Sequence, residues 1–93
     1  MNDEEVDLIK ILGSQGTRKI LEYLNTHDTG RYMNFKEFAA TYTINTRLKE
    51  LLKLELIEHH VVRVERKREW YTITEKGKKI CEYMEKMLTV VRG

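Results

Sequence analysis

The sequence of 93 residues has no proline, a single cysteine and no apolar run long enough to span a bilayer. One cysteine, Cys81, excludes a disulfide within the chain, so its thiol is either reduced or paired with another chain. The first residues are acidic, whereas a signal peptide starts with basic ones. These absences predict a soluble, cytoplasmic protein without a membrane partner.

The composition predicts one domain with a modest core. Hydrophobic residues make up 41% of the chain and charged residues 34%, which is typical of a folded domain rather than of a disordered segment. A chain of this length buries little apolar surface by itself, and self-association would bury more. We therefore expect a single domain over residues 1–93.

Positive charge is concentrated in the second half of the chain. The formal net charge is +2; residues 1–10 hold four acids and one lysine, a balance of −3, so the other 83 residues (93 − 10) carry +5. Residues 47–79 contain ten Lys or Arg and six Glu. A local surplus of basic residues favours a nucleic-acid surface in this region.

The spacing of apolar residues predicts helices at both ends of the chain. Asn2 or Asp3 can cap a first helix that ends at about residue 12, where residues 13–16 (GSQG) break it. A second helix is expected over residues 17–25. The last helix is expected over residues 75–91.

Residues 44–74 change from helical to strand periodicity. The apolar residues that share one helical face are Ile44, Leu48, Leu51 and Leu52, which predicts a helix over about residues 44–54. A β-branched run then leads to a basic tip at residues 66–68, and an aromatic and β-branched run at residues 70–73 returns. The pattern predicts a helix that continues into a two-stranded hairpin.

Two registers are possible before this helix. In the first, Asn34 and Glu37 form a capping box, a short helix covers residues 35–41, and residues 31–33 form a short strand. A turn at residues 42–43 follows in this register.

Thr43 or Asn45 then caps the next helix. In the second register this helix starts nearer Ala40, and the helix before it moves towards Arg31. The sequence pattern permits both registers.

The predicted order of elements resembles the winged-helix DNA-binding domains of bacterial and archaeal regulators. The resemblance covers about residues 17–80. RLKELLKLELI at residues 47–57 looks like the end of a recognition helix, FKEF at residues 35–38 like the helix before it, and YTITEKG at residues 71–77 like the segment that closes the wing. The last two are similar to the MarR-type and HxlR-type families, and to small winged-helix proteins of hyperthermophilic archaea and their viruses; a viral chain would act in the host cell.

This resemblance implies an α+β, mostly helical fold: a winged helix-turn-helix with a two- or three-stranded antiparallel wing sheet and additional N- and C-terminal helices. The helix-turn-helix and wing would cover residues 31–74, between helices at residues 1–13 and 75–91. Glu55 departs from the pattern, because these families usually have glycine there. The segment between Phe38 and Leu48 is also about one turn shorter than in HxlR-type proteins.

The resemblance and the side-chain chemistry both favour binding to double-stranded DNA. Amide, hydroxyl and basic groups on the polar face of the predicted recognition helix suit base edges and phosphates. A basic hairpin tip suits the backbone or a narrow minor groove. The candidate DNA-binding residues are Thr43, Asn45, Thr46, Arg47, Lys49, Lys53, Arg63, Arg66, Lys67 and Arg68. We expect a transcriptional regulator with the recognition helix, about residues 44–54, in the major groove and the wing, about residues 63–69, on the backbone or minor groove.

A winged helix can also be a protein-interaction module that does not bind DNA. The acidic residues that stand among the basic ones favour this alternative; they are Glu50, Glu55, Glu65 and Glu69. A polar helix face can simply be solvated, and a charged edge hairpin avoids aggregation.

The sequence has no constellation that indicates an enzyme, a metal or a cofactor. His59 and His60 are adjacent on a predicted strand, so their side chains point to opposite faces and do not form a metal pair. Cys81 has no nucleophile motif around it. We interpret Trp70 and Tyr71 as core aromatics rather than base-stacking groups, and no pattern predicts a small-molecule effector.

The terminal helices are the expected interface of a homodimer. The last helix carries more apolar surface than a short capping helix needs, and Leu8, Ile9 and Leu12 offer a matching stripe. MarR-type proteins dimerise through such helices, and the resemblance implies the same here. Cys81 is then either a small core residue or an interface residue that forms a disulfide with its copy, which inside cells is usual only in hyperthermophiles.

Overall fold

Five helices and one antiparallel sheet form the chain, and the computed structural model describes all 93 residues. The elements are α1 (Asp3–Gly13), α2 (Gln15–His27), β1 (Thr29–Gly30), α3 (Tyr32–Phe35), α4 (Thr41–Lys53), β2 (Ile57–Arg63), β3 (Lys67–Ile73) and α5 (Glu75–Arg92). The three strands lie in the order β1-β3-β2. This mostly helical α+β architecture confirms the predicted fold class.

Ser14 alone separates the first two helices. The Ser14 hydroxyl accepts a hydrogen bond from the Thr17 amide (3.4 Å) and so caps α2 directly after α1 ends. The break predicted over residues 13–16 is therefore a single residue. Gly16 lies inside α2 and has a packing role, because a Cβ there would lie 2.8 Å from Cγ2 of Thr43 on α4.

The second of the two registers is the one that the chain adopts. The Asn34 side chain accepts a hydrogen bond from the Arg31 amide (2.8 Å), so Asn34 closes the first turn of α3 instead of starting a later helix. Turns follow α3, and α4 begins after Ala40. The first register, with a helix over residues 35–41, a strand at residues 31–33 and a turn at residues 42–43, is therefore wrong. It requires Asn34 to be the N-cap before a helix, whereas Asn34 is the third residue of α3 and bonds back to the N-cap, Arg31.

The hairpin is present, with its tip displaced towards the N-terminus. Arg63 pairs with Lys67, so residues 64–66 form the loop, whereas Lys67 and Arg68 of the predicted tip are strand residues. Tyr71 packs towards the core, with its ring centroid 6.0 Å from that of Phe35. Trp70 lies on the opposite face of the sheet, because side chains alternate along a strand, and the prediction that it belongs to the core is wrong.

The core lies between α2, α3, α4 and the start of the hairpin. Its ten buried apolar residues are Ile20, Leu21, Leu24, Phe35, Ile44, Leu48, Leu51, Leu56, Ile57 and Cys81. α1 contains no buried residue, and α5 contributes only Gly77 and Cys81. The second half of α5 therefore projects from a molecule whose extents are 51 × 27 × 24 Å. None of the helices is long and apolar enough to cross a membrane.

Candidate nucleic-acid interface

The exposed face of α4 carries an amide and two lysines. Ile44, Leu48 and Leu51 are buried on the inner side of this helix. On the outer side, four exposed residues follow one another at intervals of three or four, which places them on one stripe; they are Tyr42, Asn45, Lys49 and Lys53. Thr46 lies beside this stripe and is half-buried. No acidic residue belongs to the stripe, so its charge is positive.

Thr43 and Arg47 lie on the flank of α4 that faces α2. Both approach Gly16 closely: a Cβ at that position would lie 2.8 Å from Cγ2 of Thr43 and 3.2 Å from Cγ of Arg47. The Arg47 guanidinium donates a hydrogen bond to Glu50 (2.6 Å), and its Nε is buried without a partner. Arg47 is thus held against the protein and could reach DNA only by exchanging Glu50 for a base or a phosphate.

Some basic residues of the hairpin form ion pairs with carboxylates, and others do not. Lys67 lies 3.4 Å from the Glu69 carboxylate, and His59 lies 3.0 Å from it. Desolvation raises the pKa of Glu69, but the Lys67 charge and the hydrogen bond from His59 outweigh it, so that the net pKa is lowered. By contrast, Arg63, Arg66 and Arg68 form no ion pair within the chain. These three arginines, which we call the free wing arginines, are the hairpin charges available to phosphates.

Arg31 adds a basic group that the sequence patterns did not single out. It precedes α3 and forms no ion pair. A groove of about 610 Å³ joins it to Arg68 and Trp70 of β3. In the sequence, Arg31 is indicated only by the second register, which moves the start of a helix towards it.

No sequence pattern indicates Tyr32 either, and this residue contacts Asn45, a candidate base-reading residue. Its hydroxyl donates a hydrogen bond to Oδ1 of Asn45 at 2.9 Å. The contact joins α3 to the exposed stripe of α4 across 13 positions of sequence. Periodicity within one helix contains no information about such a contact.

The hairpin histidines each stack on an aromatic ring of the neighbouring strand. The ring centroids of His59 and Tyr71 are 4.8 Å apart, and those of His60 and Trp70 are 5.3 Å apart. The two histidines point to opposite faces of β2, as predicted. They are thus part of the packing of the sheet.

Cys81 lies in the core, where the exposed fraction of the residue is 8%. Burial raises the pKa of its thiol, and the carboxylates of Glu22 and Glu85 act in the same direction. This position corresponds to the first of the two alternatives for Cys81, a small core residue.

The pattern of this chain from Ile11 onwards matches a known family. The HxlR-like helix-turn-helix model aligns with residues 11–92. The chain belongs to the HxlR-like helix-turn-helix family. The expected resemblance to HxlR-type proteins is thereby confirmed, and the first eight of the eleven residues of α1 lie outside the matched region.

Solved structures of regulators share the fold of this HxlR-like chain. The reduced form of the transcriptional regulator YodB from B. subtilis superposes with a TM-score of 0.78 at 24% identity, covering 96% of this chain and 89% of that one. A MarR-family transcriptional regulator from Enterococcus faecalis V583 gives 0.80 at 14% identity, covering 99% and 87%. A transcriptional regulator homologue from Pyrococcus horikoshii OT3 gives 0.78 at 17% identity, covering 97% and 93%. No curated protein matches the sequence.

Helices α3 and α4 precede the β2–β3 hairpin, which is the element order of a winged helix-turn-helix. The exposed stripe of α4 and the free wing arginines are the surfaces of these two parts. Both are exposed, and of their side chains only Asn45 forms a hydrogen bond within the chain, through its Oδ1 to Tyr32.

Proposed function

We propose that this HxlR-like chain is a transcriptional regulator that binds double-stranded DNA as a homodimer. The observation that carries the proposal is the positive, acid-free stripe on α4, which accompanies a wing with three arginines that no carboxylate neutralises. The family and the structural neighbours, which are transcriptional regulators, support the same class. Such regulators are in general not enzymes, and we propose no catalytic activity.

In this proposal, α4 enters the major groove. Asn45 and Thr46 are placed to contact base edges, while Lys49 and Lys53 contact bases or phosphates further along the helix. α4 begins at Thr41, so Tyr42 in its first turn is also available, with an exposed fraction of 81%. Recognition helices commonly use N-terminal residues for base contacts.

The wing would contact the backbone or the minor groove beside α4. Arginine is well suited to either, because its guanidinium forms paired hydrogen bonds with phosphate and enters narrow minor grooves. Arg31 extends this basic surface towards α3. Lys67, which is paired with Glu69, would contribute less.

The homodimer would form through the terminal helices. On α5, apolar residues recur at intervals of three or four, and most are exposed; they are Ile80, Tyr83, Met84, Met87, Leu88 and Val91. We call this the α5 stripe. A two-fold dimer would present two α4 helices to successive major grooves about 34 Å apart, which requires a roughly palindromic site.

The test is a titration of a labelled duplex by fluorescence anisotropy at several salt concentrations. Phosphate contacts release counterions, so log Kd should rise steeply with log salt concentration. Selection from random duplexes should then return a roughly palindromic sequence. A chain that binds no duplex at low salt would contradict the proposal.

A protein-interaction module is the second candidate. It is favoured by the ion pairs of Arg47 with Glu50 and of Lys67 with Glu69, which reduce the positive charge available near the interface. The same titration separates the two functions, because an interaction module would show no binding that depends on salt in this way.

A further inference from the structure

Tyr32 holds the side chain of Asn45 from outside its own helix. The tyrosine ring is half-buried and packs against the core. Its hydroxyl lies 2.9 Å from Oδ1 of Asn45 and 3.5 Å from the carbonyl oxygen of Thr41. A phenol has one proton, and the shorter contact takes it. Because the ring is fixed by the core, the hydroxyl restricts the orientation of the Asn45 amide.

This hydrogen bond turns the oxygen of the amide towards Tyr32 and occupies one of its two lone pairs. A free asparagine offers an acceptor oxygen and two N–H donors, and it can pair with both N6 and N7 of adenine. Here the oxygen faces the Tyr32 hydroxyl on α3, and the amino group of Asn45 is left on the outer side of α4 without a partner in the chain. The side chain therefore presents donors to an incoming base. Guanine offers two adjacent acceptors, N7 and O6, in the major groove.

We infer that Tyr32 is a positioning residue, which directs the amino group of Asn45 into the major groove and makes Asn45 select guanine over adenine. The inference rests on the proposed function, because it requires α4 to enter the groove. Tyr32 acts through Asn45 and does not itself contact DNA. Base preference at one position of each half-site would thus depend on a hydroxyl group in α3.

Tyr32→Phe isolates this effect, because it removes the hydroxyl and leaves the ring in the core. A preferred site is first selected with the unmodified chain, and duplexes with all four base pairs at each position are then compared by anisotropy. At the position where Asn45→Ala changes the preference, Tyr32→Phe should reduce the ratio of guanine to adenine affinity by about twofold to tenfold, the value of one hydrogen bond. Affinity for unrelated DNA and its salt dependence should remain unchanged.

A double-mutant cycle shows whether the hydroxyl acts through Asn45. Tyr32→Phe combined with Asn45→Ala should have the preference of Asn45→Ala alone, because no amide is left to orient. Tyr23→Phe is the matched control: it removes the same group from a half-buried tyrosine on α2 whose hydroxyl forms no hydrogen bond within the chain. Thermal unfolding of each variant verifies that the fold is retained.

The outcomes separate the inference from the proposed function. An unmodified chain that binds no duplex, or binds all duplexes equally, would overturn both. A chain with a preference that Asn45→Ala alters and Tyr32→Phe does not would overturn the inference alone. Three other results would also overturn the inference alone. They are a base preference that Asn45→Ala leaves intact, additive effects of the two substitutions in the double-mutant cycle, and a loss of affinity in Tyr32→Phe that is equal for all base pairs.

Discussion

At the scale of single residues, Glu55 has an unusual backbone conformation. It follows the C-cap of α4, and its φ is +60°, in the left-handed region. The chain turns sharply there, with the Leu56 amide donating to the Leu51 carbonyl at 3.0 Å. This is the position after a helix where glycine is favoured. The glycine typical of related families is thus explained by the backbone, and glutamate adopts the same conformation at a cost.

Glu55→Gly should stabilise the protein. A side chain in the left-handed region costs about 1–2 kcal/mol. Glycine removes this cost, but its greater flexibility in the unfolded chain offsets a part of the gain. We therefore expect the free energy of unfolding to rise by about 0.5–1 kcal/mol. Chemical denaturation monitored by circular dichroism measures this difference. Glu55→Ala is the control, because it removes the carboxylate and keeps the strained Cβ. If the free energy of unfolding rose equally in Glu55→Gly and Glu55→Ala, the cause would be the loss of the carboxylate charge and not the backbone conformation.

Cys81 should react slowly with thiol reagents. Its thiol is buried, and its pKa is raised by burial and by Glu22 and Glu85, so the reactive thiolate is scarce at neutral pH. We expect its labelling rate in the native protein to be about tenfold or more below the rate in urea. Because the chain has no other cysteine, the signal comes from Cys81 alone. Equal rates would mean an accessible thiol, and would favour the disulfide between two copies.

At the scale of elements, local patterns determine some boundaries and distant contacts determine others. The core face of α4 and the hairpin were predictable, because periodicity within a segment defines them. The start of α4 was not, since Ala40 offers no side-chain cap and Thr43 packs against Gly16 on another helix. Because side chains alternate between the two faces of a strand, adjacent residues such as Trp70 and Tyr71 cannot both point into the core, and this was already predictable from the sequence. The contact of Tyr32 with Asn45 depends on how α3 turns onto α4, which no local pattern encodes.

The wing should act through its free arginines. Replacement of all three by alanine should weaken binding to every sequence and reduce the slope of log Kd against log salt by up to about 2.7, at about 0.9 for each phosphate contact. Lys67 is left unchanged, because Glu69 already neutralises it. Anisotropy titrations at four salt concentrations measure the slope.

The control for the wing variant removes the same charge from the terminal helices. It replaces three exposed basic residues by alanine, namely Lys10, Lys86 and Arg92. Net charge then falls equally in both variants, and only the wing variant should lose phosphate contacts. Identical slopes for the two variants would mean that the wing does not lie on DNA.

At the scale of the whole molecule, α5 is longer than the monomer can bury. Beyond Cys81 it exposes Met87, Leu88 and Val91, with exposed fractions of 60%, 43% and 84%. α1 has no buried residue either, and its Ile9 is 56% exposed. Apolar residues at helical spacing on a projecting helix are typical of a surface that another helix covers. A second copy of this chain would cover it symmetrically, so that each residue of the α5 stripe contributes twice.

Met87→Glu should therefore convert the proposed homodimer into a monomer. Met87 lies outside the core, so the substitution leaves the folded monomer intact, but in a two-fold interface it introduces two desolvated carboxylates. We expect the dimer Kd, measured by sedimentation equilibrium, to rise about 100-fold or more, which corresponds to about 3 kcal/mol. Thr89→Glu adds the same charge on the other side of α5 and should leave the dimer intact. Affinity for a palindromic duplex should fall in step with dimerisation, whereas affinity for a single half-site should not. A dimer that survives Met87→Glu would place the interface elsewhere and remove the geometric reason for a palindromic site.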